Sequence, residues 1–170
     1  MGHPVLLAHA APVADPTAPE VQRLLADMAE TLEDAGGVGL AAPQVHVSLR
    51  VFIFHVPASR SDTGQALLLR AVINPEITPL GSAKALGWEG CLSIPGLRAA
   101  VPRYTDIRLT GLNPDGTSFD EVLTGFAARV AQHEADHLDG ILYPMRMEDF
   151  RYFGYNEELE RYPAPLPEII

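Results

Sequence analysis

AQHEADHLDG, residues 131–140, sets His133 and His137 four positions apart with Glu134 beside the first. On a helix, residues four apart lie on one face, one turn along. The two imidazoles can therefore grip one ion. Glu134 is then close enough to reach a water on that ion without ligating it, as metal-assisted hydrolysis requires. Val130, Ala131 and Leu138 flank the motif, so the helix is partly buried, and charged groups in such a place need a reason. A catalytic zinc-type site takes three protein ligands and leaves one position open. The motif supplies two.

Around this helix the chain alternates short apolar stretches with turns. Gly125 introduces the helix, predicted over about Phe126 to Leu138, and Gly140 ends it. Upstream, Thr117 to Leu123 and Asp106 to Leu112 both alternate apolar and polar residues, and Pro114-Asp115-Gly116 between them predicts a β-hairpin. Val51 to Val56 and Leu67 to Ile73 read as strands. The segment from Asn74 to Gly90 reads as turn-rich with at most one short strand, and GVGLAAPQV (37–45) as a loop. Near the start, Thr17 and Glu20 have capping-box spacing with Pro19 in the first turn. Val21, Leu24, Leu25, Met28 and Leu32 then form one helical stripe that Gly36-Gly37 stops. The tail carries four prolines from Pro144 to Pro167 and reads as irregular, with one short acidic helix near Glu157 to Arg161. Strands outnumber helices and no βαβ rhythm appears. The expected class is α+β with antiparallel sheets, in a single domain spanning 1–170.

With 170 residues the chain can bury a sizeable core, and 47% hydrophobic with 20% charged residues is an ordinary globular balance. The formal net charge of -10, with basic residues scattered and none before Arg23, speaks against nucleic-acid binding. No apolar run nears the ~20 residues needed to span a bilayer. MGHPVLLAHAAPVA lacks the basic start of a signal peptide, so a cytoplasmic protein without membrane attachment is expected. Cys91 is the single cysteine, so it cannot form an internal disulfide and is core, ligand or nucleophile.

Three sources of a third ligand compete. His-Glu-x-x-His-x-x-Gly-x-x-His fits as far as Gly140, but Tyr143 stands where the last histidine belongs. Glu157, Glu158 and Glu160 lie at a usable distance downstream, in a Tyr- and Pro-rich tail. Upstream, Cys91 follows Gly90, and a thiolate binds zinc or ferrous iron well. Chemistry alone ranks Cys91 first without excluding the glutamates.

GVGLAAPQ (37–44), EGCLS (89–93) and QHEADH (132–137), in this order, resemble the three motifs of the peptide deformylase family. The likeness extends over most of the chain. FAARVAQHEADHLDGILYPMRM is similar to the organelle and mitochondrial branch and its bacterial relatives. The resemblance implies a fold of antiparallel sheets packed around a central helix carrying the histidines. It implies Cys91, His133 and His137 as ligands of one divalent metal ion, iron(II) in the cell, with zinc, nickel or cobalt able to occupy the site. It also implies the reaction: removal of the formyl group from the N-formylmethionine of nascent chains, in transient proximity to the ribosome.

Mapped onto these residues, the resemblance makes Glu134 the proton carrier. The Gln44 amide and the Leu92 main-chain N–H become donors to the oxyanion, and Gly39 a main-chain contact to the peptide. Glu89 either orients the cysteine segment or lines the methionine pocket. Arg129, one turn before His133, borders that pocket or forms a surface ion pair. Asp136 is expected to be structural, paired with Arg103, and His3, His9, His46 and His55 to be surface or structural residues. The chain departs from the pattern at His3, where the family has Asp, and at His46, often Gly. Its acidic tail lacks the long basic helix that would favour ribosome docking. Two other classes compete: a metallopeptidase with a glutamate ligand, and a non-catalytic relative that keeps the metal for structure or binds formylated peptides. The first would tolerate loss of Cys91, and the second has no use for Glu134 and Gln44.

Overall fold

The structure is a computed structural model that describes residues 1–166. Its first helix, α1 (Pro19–Ala35), begins with proline at its first position and ends at Gly36 in the left-handed conformation (φ 70°). It buries Val21, Met28 and Leu32, as the stripe predicts. The expected capping box does not form. Thr17 is held instead by Asp15, whose Oδ1 accepts from the Thr17 N–H and hydroxyl at 2.9 and 2.7 Å.

Five strands make one antiparallel sheet in the order β1-β2-β3-β6-β7: β1 (Gly39–Ala41), β2 (Val51–Val56), β3 (Leu67–Pro79), β6 (Asp106–Leu112) and β7 (Ser118–Thr124). The β6–β7 hairpin runs from Asp106 opposite Thr124 to Leu112 opposite Ser118, close to its predicted bounds. A second sheet joins β4 (Lys84–Cys91), β5 (Ile94–Tyr104) and β8 (Phe153–Tyr155). Three readings of the sequence need correction. The 37–45 stretch is not wholly loop: it holds β1, then a 3-10 turn over Ala42–Val45. The 74–90 stretch is mostly strand. Pro75 has no N–H to donate, so the ladder slips between Ile73 and Glu76 and then resumes. The tail is more regular than expected in carrying β8, whereas α3 (Asn156–Arg161) is the short acidic helix expected there. The irregular tail expected from the sequence extends over residues 167–170, which lie outside the described residues.

Helix α2 (Gly125–Leu138) packs against strands of both sheets. Its Ala128, Ala131 and Leu138 enter a core with Phe52, Phe54, Val72, Ile107 and Leu109. That core fixes the helix axis, and with it the aim of the opposite face. Truncating Phe52, which is fully buried, to alanine should cost about 3–5 kcal/mol of stability. Denaturant unfolding at fixed metal loading checks this, with an unchanged slope if only packing is lost.

Candidate active site

Three elements converge above α2. The helix supplies His133, Glu134 and His137 from one buried face. The end of β4, where Cys91 sits opposite Ile94 across the tight turn Leu92-Ser93, supplies Cys91. The 3-10 turn after β1 supplies Gln44. Donor atoms of Cys91, His133 and His137 all lie within 4.8 Å of one another, and they are the one such group among the described residues. Cys91 Sγ is 3.3 Å from His137 Nε2. Glu157, Glu158 and Glu160 are exposed on α3 and join no such group.

The surroundings suit a cation. His133 Nδ1 donates to Glu89 Oε2 at 2.9 Å, which leaves Nε2 for an ion. Burial works against charge on His133, but the Cys91 and Glu89 hydrogen bonds outweigh it and raise its pKa to about 10. Burial, with the positive charge of His133 and Arg103 nearby, lowers His137 to about 3 and keeps it a neutral imidazole. One thiolate and two imidazoles form a donor set for a borderline-soft divalent metal.

Glu89 is buried and takes four charged contacts. Arg103 grips it through Nε and Nη2 at 2.9 and 3.0 Å, and Arg129 Nη1 lies at 2.8 Å, beside the bond from His133. Burial pushes its carboxyl up, yet the hydrogen bonds from His133 and Arg103 prevail and bring it to about 2. Arg103 extends the network to Asp136 at 2.6 Å, and Arg146 closes it on Asp136 at 2.7 Å. The expected Arg103–Asp136 pair is therefore present. Arg129 is not a surface ion pair: it also donates to the carbonyls of Ala85 and Val101 at 2.6 and 2.7 Å, tying α2 to β4 and β5. A Cβ on Gly87 would fall 2.7 Å from the Arg129 guanidinium carbon, so the strand carries glycine there.

Glu134 is buried with Oε2 unpartnered, and burial pushes its pKa up to about 7. A Cβ on Gly39 would overlap its carboxylate, so β1 can pass this close only with glycine. Gln44 accepts the Ala41 N–H on Oε1 at 2.9 Å, which turns its amide NH2 to Cys91 Sγ (3.4 Å) and Ser93 Oγ (3.1 Å). Leu92 is the first residue of the turn, and its side chain is 42% exposed. These groups border a cleft of about 470 Å³ that also meets Trp88, Phe126 and Arg129.

Sequence reasoning passed over Ser93, Arg146 and the Glu89–Arg103 pair. A signal for Arg103 existed: Ala99, Val101 and Arg103 share one face of β5, and the first two are fully buried. No spacing rule points to Arg146. Replacing Arg103 by Met should leave Glu89 with only Arg129 and His133, and Asp136 with only Arg146, and cost about 3 kcal/mol of stability. It should also weaken metal affinity roughly 10–100-fold by freeing His133. Denaturation and chelator competition measure the two effects separately.

Comparison with known proteins identifies the family. The family model described as polypeptide deformylase matches residues 1–152. Peptide deformylase 1 of Nitrosomonas europaea is 51% identical over 94% of this chain and 91% of its own length. Peptide deformylase 2 of Ralstonia nicotianae is 50% identical over 94% and 90%. Among solved structures, a Met-Ala-Ser-bound class I type b peptide deformylase from Acinetobacter baumannii superposes with TM-score 0.80 at 37% identity, covering 86% of this chain and 94% of that one. Matched across these three motifs and nearly its whole length, the chain belongs to the polypeptide deformylase family.

Proposed function

We propose that the residues gathered at the cleft carry out the family's reaction, hydrolysis of the N-formyl group of an N-terminal formylmethionine with release of formate. The observation that carries this assignment is the buried, unpartnered Glu134 carboxylate beside three converging ligand atoms. Cys91, His133 and His137 would hold one divalent ion. We place iron(II) first by likeness to the family, with zinc, nickel or cobalt as compatible alternatives by ligand softness. When bound, the ion supplies Lewis acidity, which lowers the pKa of a water and polarises the formyl oxygen.

Glu134 takes the proton of the attacking water and passes it to the leaving amine. As the formyl carbon becomes tetrahedral, its oxygen gains negative charge. The Gln44 amide and the Leu92 N–H donate to it, and the fixed Ala41–Gln44 bond means no reorganisation is needed at that moment. Gly39 and its neighbours in β1 give the peptide a main-chain edge. Glu89 and Arg129 work from behind, holding His133 and the β4 wall of the substrate cleft. We carry over from the Acinetobacter relative, which is Met-Ala-Ser bound, the expectation that a peptide of three residues binds in this cleft. We place the protein in the cytoplasm by likeness to the family; no helix among the described residues is long and apolar enough to cross a membrane.

Formate release from formyl-Met-Ala-Ala amide, by protein loaded anaerobically with iron(II) or nickel, tests the assignment. Rapid release is expected, falling at least about a hundredfold in Glu134→Gln, on the scale of losing general acid–base catalysis, with metal content unchanged. Absence of release from folded, metal-replete protein would contradict it.

A further inference from the structure

In a chain of net charge -10, most cations are spoken for. Eight of the twelve Lys and Arg side chains are ion-paired. Among the described residues the other four are Arg23, Arg60, Lys84 and Arg98. Arg23 is exposed on α1. Lys84 and Arg98 lie over the rings of Tyr104 and Trp88. Arg60 is the one of the four that borders the catalytic cleft. It follows β2 in a short 3-10 turn (Ala58–Arg60), and its guanidinium carbon sits 3.8 Å from the centroid of the Phe126 ring. The nearest acid in sequence, Asp62, packs against Gly125 and makes no ion pair with it. Burial lowers the Arg60 pKa with no acidic neighbour to offset it.

Its position along the cleft is defined by α2. Phe126, Arg129, Val130, His133 and Glu134 all line the cleft, at helical spacing. Phe126 and His133 are seven residues apart, roughly 10 Å along the axis. An extended peptide advances about 3.4 Å per residue, and its side chains alternate in direction. If the first side chain enters the cleft, the third points the same way about 7 Å further on. A carboxylate carried there comes within reach of a cation over Phe126, whereas one at the second residue points away.

We propose that Arg60 is a specificity-determining residue that engages a carboxylate at the third residue of the formylated peptide. The carboxylate is either an acidic side chain or the free chain end of a tripeptide. The inference rests on the deformylase reading of the cleft. Phe126, on which Arg60 rests, lies about two turns of α2 from His133, so the contribution of Arg60 is to binding. It should appear in KM, leave kcat unchanged, and weaken with added salt.

The test compares kcat/KM for nickel-loaded protein on matched peptides: formyl-Met-Ala-Glu amide against formyl-Met-Ala-Gln amide, formyl-Met-Ala-Ala free acid against its amide, and formyl-Met-Glu-Ala amide against formyl-Met-Gln-Ala amide. Wild type should favour the carboxylate roughly two- to fivefold in one or both of the first two pairs, the range for a partly exposed ion pair. The first pair reports an acidic side chain and the second a chain end. The third pair should show no preference. Arg60→Gln keeps the stem over Phe126 and should abolish the preference; Arg60→Lys and the distant control Arg23→Gln should retain it. No preference in either of the first two pairs, or one that survives Arg60→Gln, or an equal one at the second residue, overturns the proposal. Failure of wild type to release formate from any of the amides would overturn the deformylase reading along with it.

Discussion

The Glu89 carboxylate is the joint on which the site depends. It sits on β4, two residues before Cys91, and accepts from His133 on α2. One buried charge thus connects two of the three candidate ligands. Leaving it without partners would be very costly, and Arg103 and Arg129 supply the countercharge from β5 and α2. Neither arginine stops at Glu89: one continues to Asp136, the other to main-chain carbonyls of both strands. The orientation of the His133 ring is therefore set by contacts distributed over the second sheet and the helix.

Such a network is weak evidence for stability in itself, because well-packed apolar residues can replace buried ion pairs without loss. Its value here is geometric. Metal-ligating histidines need their second nitrogen held so that the tautomer and ring plane are fixed before the ion arrives. The apolar side of α2 sets the helix against Phe52, Phe54 and Leu109, and the ionic side sets the ring. The two glycines that permit close approach, Gly39 at Glu134 and Gly87 at Arg129, belong to the same arrangement.

Much of this was legible in the sequence because it is local. The 3.6-residue spacing of His133 and His137, the alternation in β6 and β7, and the apolar run of β2 each announce an element on their own. What was hidden depends on distant partners. β4 reads as turns because Gly87 and Gly90 are poor strand formers, and Gly87 is explained only by an arginine more than forty positions away. The strand expected to end at Ile73 runs on to Pro79, with only a bulge at Pro75. Thr17 offers a helix cap and spends its hydrogen bonds on Asp15 instead. Cys91 as third ligand was one of several options until the turn between β4 and β5 placed it beside the helix.

The central claim is that Cys91 and two α2 histidines form one metal site. X-ray absorption at the metal edge of iron- or zinc-loaded protein tests it most directly. The account predicts one sulfur neighbour at about 2.3 Å and two imidazole nitrogens at about 2.0–2.1 Å for the zinc form. A coordination shell of nitrogen and oxygen alone would contradict it.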